Sequence, residues 1–273
     1  NEINMGATAI GTGITADPRY AEAVRKHLEE VTGIPQETAP DLIEATADAG
    51  IFMTLSGTLK RAAVKLSKIC NDLRLLSSGP QAGLGELFLP ARQAGSSIMP
   101  GKVNPVIPEV VNQVAFSVIG ADATVTAAAE AGQLQLNAFE PVIAHSILQS
   151  ISWMTSACHT LRVNCIDGIE PNLERLAMQV ESSVGVVTAL TPYIGYAASA
   201  KLAHTALTTN ASIAELVIAA NLMTADEVAR VLSPERLSGM VPTTGVLDLS
   251  ALTHKHDDDA KHDDVKHSET DQT

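Results

Sequence analysis

The chain has 273 residues, enough for one or two domains, and its 31 acidic and 18 basic residues give a net charge of −13. This excess of negative charge argues against a nucleic-acid backbone or an anionic membrane as the main partner. Hydrophobic residues make up 45% of the chain but aromatic residues only 3%, which favours close-packed helices over an aromatic-rich β-sandwich. The composition therefore predicts an all-α protein, and it leaves room for a locally basic site that binds a small anion.

The first twenty residues are rich in Gly, Ala and Thr. The segment GATAIGTG, residues 6–13, lacks the preceding apolar strand and the following Gly-Lys-Ser/Thr of a phosphate-binding loop. We interpret its small residues as places where helices approach closely. No signal peptide or bilayer-spanning apolar run is visible, and Cys70, Cys158 and Cys165 show no metal-binding spacing. We therefore expect a cytoplasmic protein with buried free thiols.

The first strong helical pattern begins at Phe52, where apolar residues start to recur at alternate steps of three and four. Such a heptad seam predicts one long bundle helix, and the Ser-Ser-Gly-Pro turn at residues 77–80 would end it. The seam consists of Phe52, Leu55, Leu59, Ala62, Leu66, Ile69, Leu73 and Leu76. Charged residues mostly off the seam are interpreted as a solvated or inter-helix face: Lys60, Arg61, Lys65, Lys68, Asp72 and Arg74.

Two further long helices are predicted after a polar, glycine-rich stretch. The second starts near Glu109, whose carboxylate suits the positive end of a helix, and the third starts near Pro141, a residue tolerated in a first turn. Beyond about residue 172 the helices shorten, and capping boxes are predicted at Ser212 and Thr224 because a glutamate follows each of them three residues later. No alternating strand pattern is present, so the fold class is all-α.

These patterns divide the chain into three predicted regions. Residues 1–172 form a long-helix bundle domain, and residues 173–245 form a small helical C-terminal domain. Because the chain lacks an initiator Met, we expect the N-terminal part of the bundle domain to be missing. Residues 246–273 form a tail in which acidic residues and histidines dominate, and such a composition predicts disorder. The tail histidines could bind a divalent metal weakly, but their spacing defines no preformed site.

The segment GSSIMPGKVNP, from Gly95 to Pro105, interrupts the helices with an unusually polar loop. Lys102 is a cation and Asn104 an amide donor, and residues two apart in an extended segment point the same way. Together with the hydroxyls of Ser96 and Ser97, they are typical of a site for a carboxylate or a phosphate. The alternative is a surface loop whose lysine is only solvated.

The same segment resembles the signature of the aspartase/fumarase superfamily, whose members add or eliminate a group across a fumaryl double bond. TAIGTG, LIEAT, KICNDLRLLSSGP, AGLGE and AGQLQLN support this resemblance, which covers roughly residues 1–240. DLIEATAD, KVNPVIPEVVNQV and AEAGQLQLNAFEPV are similar to the aspartate ammonia-lyase branch in particular. The resemblance implies a bundle of long helices with a small helical C-terminal domain, assembled as a homotetramer with sites shared between subunits.

The resemblance also implies roles for individual residues. Ser96 matches the family's general base on a mobile loop, while Lys102 and Asn104 match residues that bind the dicarboxylate substrate. Ser97 and Glu109 match supporting positions, and for Glu109 a simple role at a helix start is an equal alternative. The implied reaction is the reversible anti elimination of ammonia from L-aspartate to give fumarate, without any metal or organic cofactor.

Two of the three regions that form the family's site have no counterpart in the sequence. One of these two regions carries a histidine in the family. None of the histidines outside the tail lies in a segment that resembles that region: His27, His145, His159 and His204. We therefore expect this chain to be the C-terminal portion of a longer enzyme, inactive by itself. A class II fumarate hydratase and a non-catalytic fragment or assembly subunit of the same fold remain the alternatives.

Overall fold

The computed structural model describes residues 1–79, 81–93, 95, 99 and 101–240. The chain divides into two compact units, Asn1–Arg175 and Leu176–Thr273. Within the described residues nearly all regular structure is helical, and the strands are only two residues long. The all-α fold class is therefore confirmed. The predicted tail, residues 246–273, lies outside the described residues, and the three-region division stays a prediction.

The first unit is dominated by three long helices, as predicted. Helix α3 ends one residue before the predicted Ser-Ser-Gly-Pro turn, α4 starts three residues before Glu109, and α5 has Pro141 in its first turn. Two shorter helices precede them, and Asp41 caps the second by accepting hydrogen bonds from the Ile43 and Glu44 amides. The helices are α1 (Tyr20–Thr32), α2 (Leu42–Ala47), α3 (Gly50–Leu76), α4 (Val106–Glu130) and α5 (Glu140–Asn164).

The four strands found among the described residues form two small pairs. Strands β1 (Glu2–Ile3) and β2 (Glu37–Thr38) pair in parallel, and β3 (Leu87–Phe88) and β4 (Glu170–Pro171) pair antiparallel. The glycine-rich segment after β1 forms turns and is not itself helical. Its small residues do allow a close approach to a helix, because a Cβ on Gly11 would lie 2.3 Å from the Ile43 Cα in α2.

Helix α3 buries only part of its heptad seam within the chain: Leu73 is buried, and Leu59 and Leu66 are partly buried. Several large seam residues are 40% or more exposed, including Phe52, Leu55 and Ile69. The buried face is built mainly from small side chains, which let neighbouring helix backbones approach closely. Its members are Ser56, Ala63, Ser67, Cys70 and Leu73. The periodicity thus predicted the helix correctly, but half of the seam residues are exposed in the described chain.

Helix α4 packs against both α3 and α5. It is long and apolar enough to cross a membrane by length and composition alone, although the sequence analysis found no such run. Its buried residues nevertheless include Asn112 and Asp122, and both have polar partners on α3. Ser56 Oγ donates to Asp122 Oδ1 over 2.9 Å, and the Lys60 ammonium pairs with Asp122 Oδ2. These contacts are those of a bundle helix packed against its neighbours.

An apolar cluster joins the C-terminal end of α3 to α4 and α5. Its buried members are Cys70, Leu73, Val111, Ala157, Leu161 and Cys165. Leu87 of β3 and the nearby Leu89 pack against this cluster and are partly buried. Full burial of a leucine side chain contributes roughly 1.5–3 kcal/mol, and these partly buried residues contribute a fraction of it. The cluster therefore fixes the β3 segment against the end of α3.

The second unit has a core of its own, made of Leu190, Leu202, Ala206, Ile213, Val217, Val228 and Val231. Both predicted capping boxes are confirmed: Ser212 and Glu215 bond reciprocally at the start of α9, as do Thr224 and Glu227 at the start of α10. The remaining helices are α6 (Leu173–Ser182), α7 (Val187–Ile194), α8 (Tyr196–Thr209), α9 (Ile213–Ala219), α10 (Ala225–Val231) and α11 (Pro234–Leu237).

Candidate functional site

The turn after α3 forms the first wall of the candidate site. The Ser78 hydroxyl links this turn to the helix. Its Oγ donates to the Leu75 carbonyl over 2.6 Å and accepts from the Leu84 amide over 3.1 Å. Backbone bonds run from the Gly85 amide to the Ser78 carbonyl and from the Glu86 amide to the Leu76 carbonyl, each 2.8 Å long. The hydroxyl of Ser78 thus holds a compact loop on the end of the helix.

Side chains at the start of α6 hold the same loop from its other side. Asn172 Nδ2 donates to the Gly85 carbonyl over 2.9 Å, and Arg175 Nε donates to the Leu84 carbonyl over 3.2 Å. The β3–β4 pairing continues this attachment into the following residues. The wall is therefore fixed by bonds to segments far apart in sequence, which is the condition for a rigid binding surface.

The described part of GSSIMPGKVNP forms the opposite wall. Asn104 Nδ2 donates to the Gly95 carbonyl over 2.8 Å, which links the two ends of the segment. A Cβ on Gly95 would lie 1.9 Å from the Lys102 carbonyl oxygen, so only glycine allows this close approach. The amide of Lys102 donates to the Met99 carbonyl over 3.3 Å. Gly95 directly precedes Ser96 in sequence, so Asn104 anchors the segment that carries the predicted base.

The two walls enclose a cleft of about 380 Å³. Lys102 and Asn104 line it from one side, and Arg74, Ser77 and Ser78 line it from the end of α3. The other lining residues are Gly79, Gly85, Leu87, Phe88, Leu89, Gly101, Val103 and Pro105. No acidic residue occurs among these lining residues, although the chain as a whole carries a charge of −13. The cleft is thus a basic recess in an acidic protein, which suits an anionic ligand.

Arg74 enters the cleft from the last turn of α3, where Asn112 contacts it. Its Nη1 donates to Asn112 Oδ1 over 3.4 Å. Asn112 is only 3% exposed and uses its Nδ2 to bond the Ser67 hydroxyl over 2.8 Å, the Ser67 carbonyl over 3.1 Å and Asn71 Oδ1 over 3.1 Å. These bonds fix the orientation of the amide, and they leave its oxygen turned toward Arg74.

The predicted site residues have different outcomes. Lys102 and Asn104 line one cleft, so the structure brings these two together. Glu109 lies half-buried in the first turn of α4 and is not among the residues that line the cleft. Ser96 and Ser97 lie outside the described residues. Their assigned roles stay predictions.

Arg74 is the residue that sequence reasoning missed. The pattern assigned it to a solvated or inter-helix face, but it lines the cleft beside the signature segment. A signal was present, because an arginine just before a Ser-Ser-Gly-Pro turn ends up at a loop-lined helix end. Nothing in the linear order indicated that this helix end faces Lys102.

The thiols and possible metal ligands offer no second reactive centre in the described part of the chain. Cys70 and Cys165 are buried, and Cys158 is exposed, so the expectation of buried thiols holds for two of the three. Burial, followed by the nearby Cys165, raises the pKa of the Cys70 thiol to about 11, which keeps it protonated and unreactive at neutral pH. No cluster of three metal-ligating side chains occurs among the residues described.

Comparisons with known proteins give the same assignment as the signature segment. The family model described as Lyase matches residues 1–120, and the model described as Fumarase C C-terminus matches residues 186–239. Aspartate ammonia-lyase of Pseudomonas aeruginosa is 57% identical over 236 residues, which cover 86% of this chain and 50% of that protein. The enzyme of Escherichia coli is 53% identical, with 86% and 49% covered. The chain thus spans about half the length of the curated relatives it matches.

Solved structures are similar in fold as well as in sequence. A Brucella melitensis protein titled fumarate lyase:delta crystallin, bound to cobalt, is 52% identical with a TM-score of 0.83, covering 87% of this chain and 51% of that one. Class II fumarase of Schistosoma mansoni is 32% identical with a TM-score of 0.80, covering 87% and 53%. The signature segment, the long-helix bundle and these similarities agree, and the chain therefore belongs to the aspartase/fumarase superfamily.

Proposed function

We propose that this chain supplies the substrate-binding cleft of an aspartate ammonia-lyase, which converts L-aspartate reversibly to fumarate and ammonia. The observation that carries the proposal is the basic cleft in which Lys102 and Asn104 meet. Relatives named aspartate ammonia-lyase at 57% and 53% identity support this choice of reaction. L-Aspartate and fumarate both carry two carboxylates, and a recess without acidic lining suits such a dianion.

In the proposed reaction, a base removes a proton from the carbon beside one carboxylate. The electron pair of the broken C–H bond forms the double bond, the C–N bond breaks and ammonia leaves. Negative charge builds on the adjacent carboxylate during this step, so a fixed cation near that carboxylate lowers the barrier. Lys102 fills this role in the proposal, because it is exposed in the cleft and has no ion-pair partner among the described residues.

Asn104 has two tasks in this proposal. One of its N–H bonds holds the Gly95 carbonyl, and its remaining amide atoms are left to hydrogen-bond the substrate. Ser96, the residue after Gly95, is the proposed base, with Ser97 as support. A serine hydroxyl is a very weak acid, so the proposal requires nearby donors that stabilise its oxyanion. Glu109 at the start of α4 is proposed to orient this region.

The complete enzyme is proposed to be a cytoplasmic homotetramer in which other subunits complete each site. The open seam of α3 supports the assembly, because exposed Phe52, Leu55 and Ile69 offer an apolar stripe for further helices. We expect the 273-residue chain alone to be inactive. Light scattering of the complete gene product tests the assembly, and substantial turnover by the 273-residue chain would contradict the second expectation.

A class II fumarate hydratase is the second candidate. The observation in its favour is the Schistosoma mansoni fumarase structure, which shares the fold at 32% identity. The deciding experiment offers the complete gene product L-aspartate and L-malate separately and follows the ultraviolet absorbance of fumarate. Fumarate from L-aspartate alone supports the lyase, and fumarate from L-malate alone would replace it by the hydratase.

A further inference from the structure

Arg92 binds the C-terminal end of α5. Its Nε donates to the Asn164 carbonyl over 2.8 Å, and its Nη2 donates to the Val163 carbonyl over 3.3 Å. The last four carbonyls of a helix have no partner within the helix, and this end carries partial negative charge. The planar fork of a guanidinium supplies both the donors and the positive charge. Arg92 is therefore fixed by two backbone oxygens, although it is exposed.

The residues just before Arg92 are attached to the same part of the structure. Leu89 packs against the apolar cluster that joins the ends of α3 and α5. Pro90 packs tightly on the turn after α5, because a Cβ on Gly168 would lie 2.8 Å from its Cγ. Residues 89–92 are thus held at the end of α5 by apolar packing and by hydrogen bonds together.

Gly95, three residues after Arg92, contacts both proposed substrate-binding residues. Its carbonyl accepts the hydrogen bond from Asn104 Nδ2 over 2.8 Å, and a Cβ on it would lie 1.9 Å from the Lys102 carbonyl oxygen. Three residues of extended chain span at most about 10 Å, so the attachment of Arg92 restricts where Gly95 can lie. The position of Gly95 in turn restricts the Lys102 backbone and the Asn104 amide.

We propose that Arg92 is a positioning residue for the elimination: by fixing the segment that leads to Gly95, it holds Lys102 and Asn104 in the geometry that binds the substrate. The inference rests on the proposed function, because it concerns the same two residues. Arg92 is not among the residues that line the cleft, so it acts through Gly95 and not on the substrate. Such a restriction matters because a displacement of about 1 Å at a reacting group can lower the rate roughly 100-fold.

The test compares Arg92→Met with Arg162→Met in the complete gene product. Arg162 is a matched control, because it is an exposed arginine in the last turn of α5, whereas the described hydrogen bonds that join this helix end to the segment before Gly95 come from Arg92. Both substitutions therefore remove a positive charge near the same helix end.

Arg92→Met should lower kcat for L-aspartate roughly tenfold, a smaller loss than a full 1 Å displacement would cause. Arg162→Met should keep kcat within about twofold of the wild type, as expected for an exposed charge away from the site. The measurement uses saturating L-aspartate well below the unfolding temperature of each variant, which circular dichroism determines. A loss of stability alone then leaves kcat unchanged.

A double-mutant cycle with Gly95→Ala tests whether Arg92 acts through Gly95. If it does, adding Arg92→Met to Gly95→Ala should lower kcat by less than about twofold, because the segment is already displaced. A further loss of roughly tenfold in the double variant would show independent effects and contradict the proposal. Arg92→Lys should restore only part of kcat, since lysine keeps the charge but loses the planar fork. Full kcat in Arg92→Lys would assign the effect to the charge at the helix end instead.

The outcomes distinguish this inference from the function beneath it. If the wild-type gene product forms no fumarate from L-aspartate, the proposed function is wrong and this inference is wrong with it. If the wild type forms fumarate but Arg92→Met and Arg162→Met have the same kcat, only the role of Arg92 is wrong. A lower kcat in Arg92→Met that is largely absent in the Gly95→Ala background supports both.

Discussion

Two of the cations on helix α3 lie in very different surroundings. Lys60, near its middle, pairs with the buried carboxylate of Asp122, which also accepts a bond from Ser56. Arg74, at its end, meets the neutral amide of Asn112 and shares a cleft with Lys102 instead of an acid. A paired charge stabilises the contact between helices, whereas cations gathered without acids remain available to a ligand. We therefore expect that breaking the Lys60–Asp122 pair lowers stability, whereas replacing a cation of the cleft lowers activity.

The largest expected effect comes from Lys102→Met. Removing one donor that stabilises charge in a transition state typically lowers the rate 10²- to 10³-fold, or about 2.7–4 kcal/mol. We expect this loss in kcat/KM for L-aspartate with no change in the free energy of unfolding. Lys65→Met is the control, since Lys65 is an exposed lysine of α3 outside the cleft. Equal activities of the two variants would remove Lys102 from the site.

Gly95→Ala should impair activity through geometry alone. The added Cβ would lie 1.9 Å from the Lys102 carbonyl oxygen, so the backbone around Lys102 must move. A displacement of about 1 Å at a reacting group can lower the rate roughly 100-fold. Gly57→Ala is the matched control, because no atom lies within 4 Å of a Cβ at that helical position. Full activity of Gly95→Ala would show that the close approach has no role in the reaction.

Asp122→Ala should have the reverse effect, lowering stability and sparing substrate binding. It leaves Lys60 without its partner, and breaking a buried pair costs roughly 3–5 kcal/mol. We expect about 2 kcal/mol, since the Lys60 side chain is 44% exposed while that of Asp122 is 10% exposed. Asp72→Ala breaks the exposed pair with Lys68 and should change stability by less than about 0.5 kcal/mol. Urea unfolding measures both, and similar losses would contradict the distinction between buried and exposed pairs.

The smallest effect is the pH dependence of the same pair. Burial raises the pKa of Asp122, but the bonds from Lys60 and Ser56 outweigh it, so the pKa lies below the usual range. Stability from the ionised carboxylate is therefore complete above the unfolded-state pKa of about 4 and is lost as the pH falls through the folded-state value. The stability difference between wild type and Asp122→Asn should shrink on acidification from neutral pH. A constant difference would show that the charge of Asp122 contributes nothing.

The sequence predicted the helices better than their contacts. Periodicity and turn residues placed α3, α4 and α5 within a few residues, because these signals are local. The sequence did not indicate the packing face of α3: its buried Ser56, Ala63 and Ser67 are small residues, and half of the apolar seam is exposed. A periodic pattern indicates a helix, but it does not say which surface covers each face.

The candidate site likewise contains residues that the sequence indicated and residues that only the structure revealed. Lys102 and Asn104 belong to one short segment, so a sequence resemblance alone could indicate them together. Arg74 and its hydrogen-bond partner Asn112 are 38 residues apart and meet only across the interface between α3 and α4. Lys60 and Asp122 are 62 residues apart and were likewise joined only by the fold. Contacts between residues distant in sequence could therefore be identified only from the structure.

The most direct test of the account is a crystal structure of the complete gene product with succinate. We predict that succinate occupies the cleft, with one carboxylate bound by Lys102. The nitrogen-to-oxygen distances should be about 2.7–2.9 Å, as in other charge-assisted hydrogen bonds. Succinate bound elsewhere, with the cleft empty, would contradict the assignment of this cleft as the substrate site.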